Sequence, residues 1–239
     1  MELEIVTDPD IIARLEAERK KSEIGPHTNL LMNRFAGMHY QELGGSVRDV
    51  IINELYGTPF TVRDWDLIID DSQEDIDLFV CCEGLPGYVG KNHFGNVKWR
   101  VAPYEFDITK YSSRRDKSGP ATLEGFFHGC DFNIGTIAYC REHAEILSLA
   151  ALSGIRTKTI SLMNPETDRP HATITRAINF ERRLGFRLDE ETLRYIRETY
   201  TPAMDPAIAN YMRERGMGDD TYRSVIKRLG EIVSKETAA

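Results

Sequence analysis

Asp64 and Asp66 stand one residue apart in Asp64-Trp65-Asp66-Leu67-Ile68-Ile69-Asp70, a run whose apolar density and length predict a strand. Residues i and i+2 of a strand share a face, so both carboxylates emerge together. Two such charges repel unless a cation neutralises them, and hard oxygen donors of this kind suit Mg²⁺, with Mn²⁺ as the alternative. A further acidic strand, Glu105-Phe106-Asp107, follows later. One carboxylate from it would complete a two-metal site for in-line phosphoryl or nucleotidyl transfer. Upstream, Gly44-Gly45 precede a helical pattern, so their backbone could approach a triphosphate closely with the helix N–H groups aimed at the anion.

These residues need elements to hold them. Val47, Val50, Ile51 and Leu55 follow helical spacing, and Gly57 sits where a helix-ending glycine belongs. A first helix is predicted from about Pro9 to Lys21, capped by Asp8 and ended by Gly25-Pro26. Ser72-Gln73-Glu74-Asp75 reads as a capping box before a helix carrying Ile76, Phe79 and Val80. Gly84 to Gly95 reads as a glycine-rich loop. Asn96–Val101 and Tyr104–Thr109 then form a hairpin turning at Ala102-Pro103. Trp65, Trp99 and Tyr104 are expected to pack against neighbouring strands. Beyond about residue 140 the pattern is helical only, with stops at Gly185 and Gly216 and starts at Asp189, Asp205 and Asp220.

The 239 residues carry 30 Lys+Arg against 38 Asp+Glu, a formal net charge of −8. That balance argues against a broad positive face for coating duplex nucleic acid, but leaves room for a local basic groove. With no apolar run of 18 residues, no membrane partner is expected. The N-terminal MELEIVTDPD lacks the basic start and apolar core of a secretory signal, so a cytoplasmic protein is expected. Cys81, Cys82, Cys130 and Cys140 form no C-x-x-C pair and read as free thiols, and the six histidines show no zinc-binding spacing.

Gly44-Gly45-Ser46-Val47-Arg48-Asp49 followed by Asp64-Trp65-Asp66 resembles the signature of the class II tRNA nucleotidyltransferase and bacterial poly(A) polymerase family, within the polymerase β-like nucleotidyltransferase superfamily. The likeness continues through Phe94-Gly95-Asn96-Val97, Tyr104 to Thr109, Cys130-Asp131-Phe132-Asn133-Ile134 and Arg176-Ala177-Ile178-Asn179-Phe180, roughly residues 36 to 195. It implies an α+β fold: a polymerase β-like palm with a mixed sheet flanked by helices, then a short all-helical neck. The expected division is an N-terminal helical extension over 1–30, a head over 31–145 and a neck-like region over 146–239.

The resemblance also implies roles. Asp64 and Asp66 match the metal-binding pair. Asp107 matches the third carboxylate, with Glu105 as the alternative. Gly44, Gly45 and Ser46 match the triphosphate loop. Arg48 and Arg176 match nucleotide-side positions, Arg48 reading equally as a structural ion pair. The implied reaction is transfer of NMP from an NTP, ATP or CTP, to an acceptor hydroxyl, foremost an RNA 3′ end. A protein or small-molecule hydroxyl, or nucleotide binding without catalysis, are the alternatives.

The departures matter as much. Gly129 and Cys130 replace the family's two arginines, and its asparagine falls at Gly135. By spacing, the base-reading positions hold Arg169, Pro170 and Thr173, so an Asp–Arg base reader and its C-then-A selectivity are not expected. Arg63, Lys91, Arg114 or Arg115 are then the candidates to bring positive charge to the triphosphate from loops. About 50 residues follow Gly185, which suggests a neck without the family's tRNA-gripping body. The arginines from Arg176 to Arg197 could form a local phosphate groove, although interleaved acids also fit an exposed helix.

Overall fold

The protein is described by a computed structural model covering residues 2–21, 39–62, 64–72, 77, 84, 87–91, 95–101, 104–113 and 121–234. In chain order the elements are β1 (Glu4–Val6), α1 (Pro9–Lys21), β2 (Tyr40–Leu43), α2 (Gly44–Tyr56), β3 (Asp64–Ile69), β4 (Tyr88–Lys91), β5 (Val97–Val101) and β6 (Tyr104–Lys110). Then come α3 (Leu123–His128), β7 (Ile137–Cys140), β8 (Glu145–Ser148), α4 (Ala151–Thr157), β9 (Thr159–Ile160), α5 (Pro170–Leu184), β10 (Arg187–Leu188), α6 (Glu190–Thr199), α7 (Asp205–Glu214) and α8 (Asp219–Ser234). The chain forms two compact units, 1–130 with 134–152, and 131–133 with 153–239. Among the described residues, no helix is long and apolar enough to cross a membrane.

The first unit is α+β. Its eight strands form one sheet in the order β1-β8-β7-β2-β3-β6-β5-β4. All neighbours are antiparallel except β3 and β6, which run parallel. Alternation along β3 sends Trp65 and Leu67 to one face, where both are fully buried, and Asp64 and Asp66 to the other. Helix α1 is capped by Asp8, whose Oδ1 accepts from the Asp10 and Ile11 amides at 3.0 and 3.2 Å. It lies over the apolar face through a buried ion pair from Arg19 to Glu42 on β2, and through Glu16, which accepts from the Tyr139 hydroxyl at 2.8 Å. Helix α2 packs on α1, β3 and β7 with Val47, Val50, Ile51 and Ile52 completely buried.

The second unit is mostly helical. Helix α5 ends at Gly185 in the left-handed region (φ 66°), and Asp189 caps α6 by accepting from the Thr192 amide at 2.8 Å. Helix α8 packs on α5 and α6, where Arg228 grips Glu181 with two bonds of 2.7 and 2.8 Å.

Several elements differ from their sequence reading. The stretch read as a glycine-rich loop contains β4, the edge strand, which pairs with β5. Gly87 makes this pairing possible: its φ is +86°, and a Cβ there would meet the Trp99 ring and Arg100 carbonyl at 2.4 and 2.5 Å. Strand β8 lies past the point where the pattern turns helical, and β9 and β10 add a small parallel pair to the helical unit. Strands β1 and β2 were not expected. These strands have two to four residues, too few for alternation to register. The capping box after Ser72 and its helix, the turn at Ala102-Pro103 and residues Arg63, Arg114 and Arg115 lie outside the described residues.

Candidate active site

The site is built where β2 runs directly into α2. Leu43 is extended, and Gly44 turns the chain with φ +61°, a conformation that carries a penalty for residues with a Cβ. Leu43 supplies no side-chain cap to the helix, whose first-turn N–H groups lie beyond the reach of i→i−4 bonding. A Cβ on Gly44 would lie 3.7 Å from Asp66 Oδ2, so the turn sits against the carboxylate.

From this turn, register carries a row of side chains across four strands. Leu43 pairs with Asp66, Asp66 with Asp107, and Asp107 with Lys98. A second row runs beside it: Asp64 pairs with Glu105, and Glu105 with Arg100. Partners in register point to one face, so all four carboxylates and both cations share it.

The electrostatics follow. Burial, then the charges of Asp107 and Asp64, push the Asp66 carboxyl up to about 7, opposed by Arg48 and Lys98. Asp107 has one carboxylate oxygen, Oδ1, buried without a hydrogen-bond partner. Glu105 is in the opposite condition. Lys98 Nζ lies 2.5 Å from Glu105 Oε2, and Arg100 Nε donates to Oε1 at 2.7 Å. The bond from Lys98, with Arg100 beside it, holds the Glu105 carboxyl below its usual range.

The other expected residues divide. Ser46 is buried and its hydroxyl donates to the Leu43 carbonyl at 3.2 Å, tightening the turn. Arg48 is buried on α2 and bonds Asp49 at 2.9 and 2.8 Å. A Cβ on Gly45 would come within 3.6 Å of the Arg48 guanidinium, so that charge lies under the loop. Arg176 belongs to the second unit. There it pairs with Asp131 and lies 5.6 and 5.9 Å over the Phe132 and Phe180 rings. Asn133, near the family's asparagine, clamps the same unit by donating to the Thr159 carbonyl and accepting from the Ser161 amide.

Lys98 and Arg100 are the residues that sequence reasoning missed. The hairpin pattern held the signal, since counting back from its turn places Lys98 opposite Asp107.

Among the described residues, no three His, Cys, Asp or Glu side chains are drawn into a ready-made metal cage. The donor set nevertheless fits a hard divalent cation. It is all carboxylate oxygen, it contains a buried oxygen without a partner, and burial together with mutual repulsion raises Asp66.

The chain is similar in fold to several solved structures. A CCA-adding enzyme in complex with CTP superposes with a TM-score of 0.66 and 20% identity, over 92% of this chain and 54% of that one. A tRNA nucleotidyltransferase complexed with a primer tRNA and an incoming ATP analogue gives 0.61 and 17%, over 88% and 60%. The Thermotoga maritima CCA-adding enzyme complexed with tRNA gives 0.60 and 17%, over 97% and 55%. The fold is that of the tRNA nucleotidyltransferases. No family model matches the sequence, and no curated protein matches it either. The nucleotidyltransferase fold is thus present at low identity, and the chain spans between half and two thirds of the length of these structures.

Proposed function

We infer that this chain is a Mg²⁺-dependent nucleotidyltransferase, moving NMP from ATP or CTP to the 3′-hydroxyl of an RNA. The acceptor oxygen bonds to the α-phosphorus as the bond to the bridging oxygen of pyrophosphate breaks, and the hydroxyl proton is released to solvent water. The observation that carries this reading is the row from Gly44 through Asp66 to Asp107, which sets a helix N-terminus and a carboxylate cluster on one sheet face. The fold shared with CCA-adding enzymes supports it.

Asp64, Asp66 and Asp107 would hold the metal, which would supply Lewis-acid stabilisation of the phosphoryl oxygens. The turn at Gly44-Gly45 and the first-turn N–H groups of α2 bind the triphosphate and its leaving pyrophosphate. Arg48 supports this turn from beneath. Asp107 serves as the third carboxylate, because its Oδ1 has no partner while Glu105 is held by two cations. Its place beside Asp66 suits it to orient the acceptor hydroxyl. Arg176, expected on the nucleotide side, lies in the second unit, where it pairs with Asp131.

Incubation with labelled NTPs and total RNA tests the reaction, with Asp64→Ala/Asp66→Ala as control. RNA labelling that disappears in the double variant is the expected result. Labelling that persists would discard the assigned site, and NTP binding without labelling of any acceptor would make the chain a binding module.

A further inference from the structure

The carboxylate cluster is flanked unequally. On its β2 side lies the glycine turn with the N-terminus of α2. On its β5 side lie Lys98, opposite Asp107, and Arg100, opposite Glu105. Both cations close on one carboxylate: Lys98 at 2.5 Å and Arg100 at 2.7 Å from Glu105. Lys98, Arg100 and Glu105 together carry one net positive charge, beside the Asp107 and Asp64 carboxylates that a bound metal would neutralise. It is also reachable, with Lys98 and Glu105 28% and 31% exposed and Arg100 55% exposed.

An in-line displacement gives these two flanks different tasks. Attacking and leaving oxygens stand on opposite sides of the phosphorus, so a pyrophosphate held at the α2 turn requires the acceptor to arrive from the β5 side. A neutral hydroxyl needs no cation beside it. A hydroxyl at the end of a polynucleotide brings an anionic linkage one residue behind it.

We propose that Lys98 and Arg100, braced by Glu105, form a phosphodiester-binding site that positions the last internucleotide linkage of a single-stranded RNA acceptor. The assignment rests on the nucleotidyl-transfer reading for its direction of approach. It makes Lys98 and Arg100 positioning residues that select an anionic acceptor, and Glu105 the brace that fixes their spacing. Glu105 acts from outside the metal set, because its lone pairs are committed to the two cations.

The test uses two short oligoribonucleotides with a free 3′-hydroxyl, differing only in the last linkage: phosphodiester or neutral methylphosphonate. In the wild type, the neutral linkage should raise the RNA KM on the order of tenfold, the loss of a charge-assisted bond. Lys98→Ala/Arg100→Ala should raise the KM for the phosphodiester oligonucleotide comparably or more, show no further penalty for the neutral linkage, and leave the NTP KM within about twofold. Lys98→Arg should restore most of the RNA KM in an otherwise intact chain. An equal methylphosphonate penalty in wild type and double variant would overturn the site, as would a loss that falls on the NTP KM.

Fluorescence anisotropy of the labelled phosphodiester oligonucleotide separates this inference from the reaction it rests on. Wild type that transfers no nucleotide, yet binds the oligonucleotide through Lys98 and Arg100, would overturn the transfer reading and keep the site. Wild type that transfers nucleotide to a protein or small-molecule hydroxyl, with no oligonucleotide affinity, would do the reverse.

Discussion

Asp66 and Asp107 face each other in register across the parallel pair β3 and β6, and the charge of Asp107 helps drive the Asp66 carboxyl up to about 7. Two acids have been placed where neither is comfortable without a counter-charge. The cost is local, and it makes the site's occupancy and its pH readable in stability measurements.

Consider pH first. Asp66 holds its proton up to about pH 7 in the folded chain, against an ordinary value of 3.8 when unfolded. Between those values the folded state keeps a proton that the unfolded state has lost, so stability falls as pH rises through the window and levels off above it. Asp66→Asn stays neutral. In the presence of a chelator it should flatten this slope and be the more stable protein above about pH 7, by on the order of a few kcal/mol. Thermal denaturation followed by circular dichroism across pH checks this. Parallel profiles for the two proteins would contradict it.

Metal should reverse the penalty. A cation that binds only the folded state stabilises it by mass action. Mg²⁺ is expected to raise the Tm of the wild type at mildly alkaline pH, and to do little for Asp66→Asn or Asp107→Asn. An equal rise in all three would place the cation elsewhere.

The Gly44 turn offers a third measurement. Gly44→Ala puts a Cβ at φ +61°, which costs about 1–2 kcal/mol. The new Cβ would also sit 3.7 Å from Asp66 Oδ2, an ordinary contact that needs no rearrangement. The variant should therefore fold with reduced stability, and its nucleotide affinity should fall by more than its folded fraction explains. Calorimetric titration with a non-hydrolysable NTP would show the difference, and unchanged affinity would remove the turn from the binding site.

On the opposite face, Arg19 and Glu42 are both nearly inaccessible to water. Arg19→Met strands the Glu42 carboxylate and should cost about 3–5 kcal/mol by chemical denaturation. Arg19→Met/Glu42→Leu removes both charges and should recover most of that loss. A double variant no more stable than the single one would count against the buried pair as its cause.

What the sequence disclosed follows from how local each signal is. Gly57 and Gly185 end helices through their own backbone conformation, and Asp8 and Asp189 cap helices through bonds two or three residues away, so these boundaries were legible. The Asp64-Trp65-Asp66 strand announced its two faces by alternation. Glu42 carries no signal in the sequence, because Arg19, its partner, lies in another element. On its own, Lys98 is likewise silent in the sequence. Its meaning comes from β6, which sets Asp107 opposite it and Glu105 within reach, a relation carried by strand pairing rather than by spacing along the chain.

The parallel pairing of β3 with β6 has a consequence for how the protein comes into being. Its connection carries β4 and β5, which return to β6 as a meander, so the hairpin of β5 and β6 closes over a short loop while β3 must wait for a long one. Chain-closure entropy therefore delays the docking of β3. In refolding, the hairpin that holds Asp107, Lys98 and Glu105 is therefore expected to form before Asp64 and Asp66 dock beside it. Trp99 is buried within the early hairpin and Trp65 within the late strand, so the two indoles would time the two events separately during refolding.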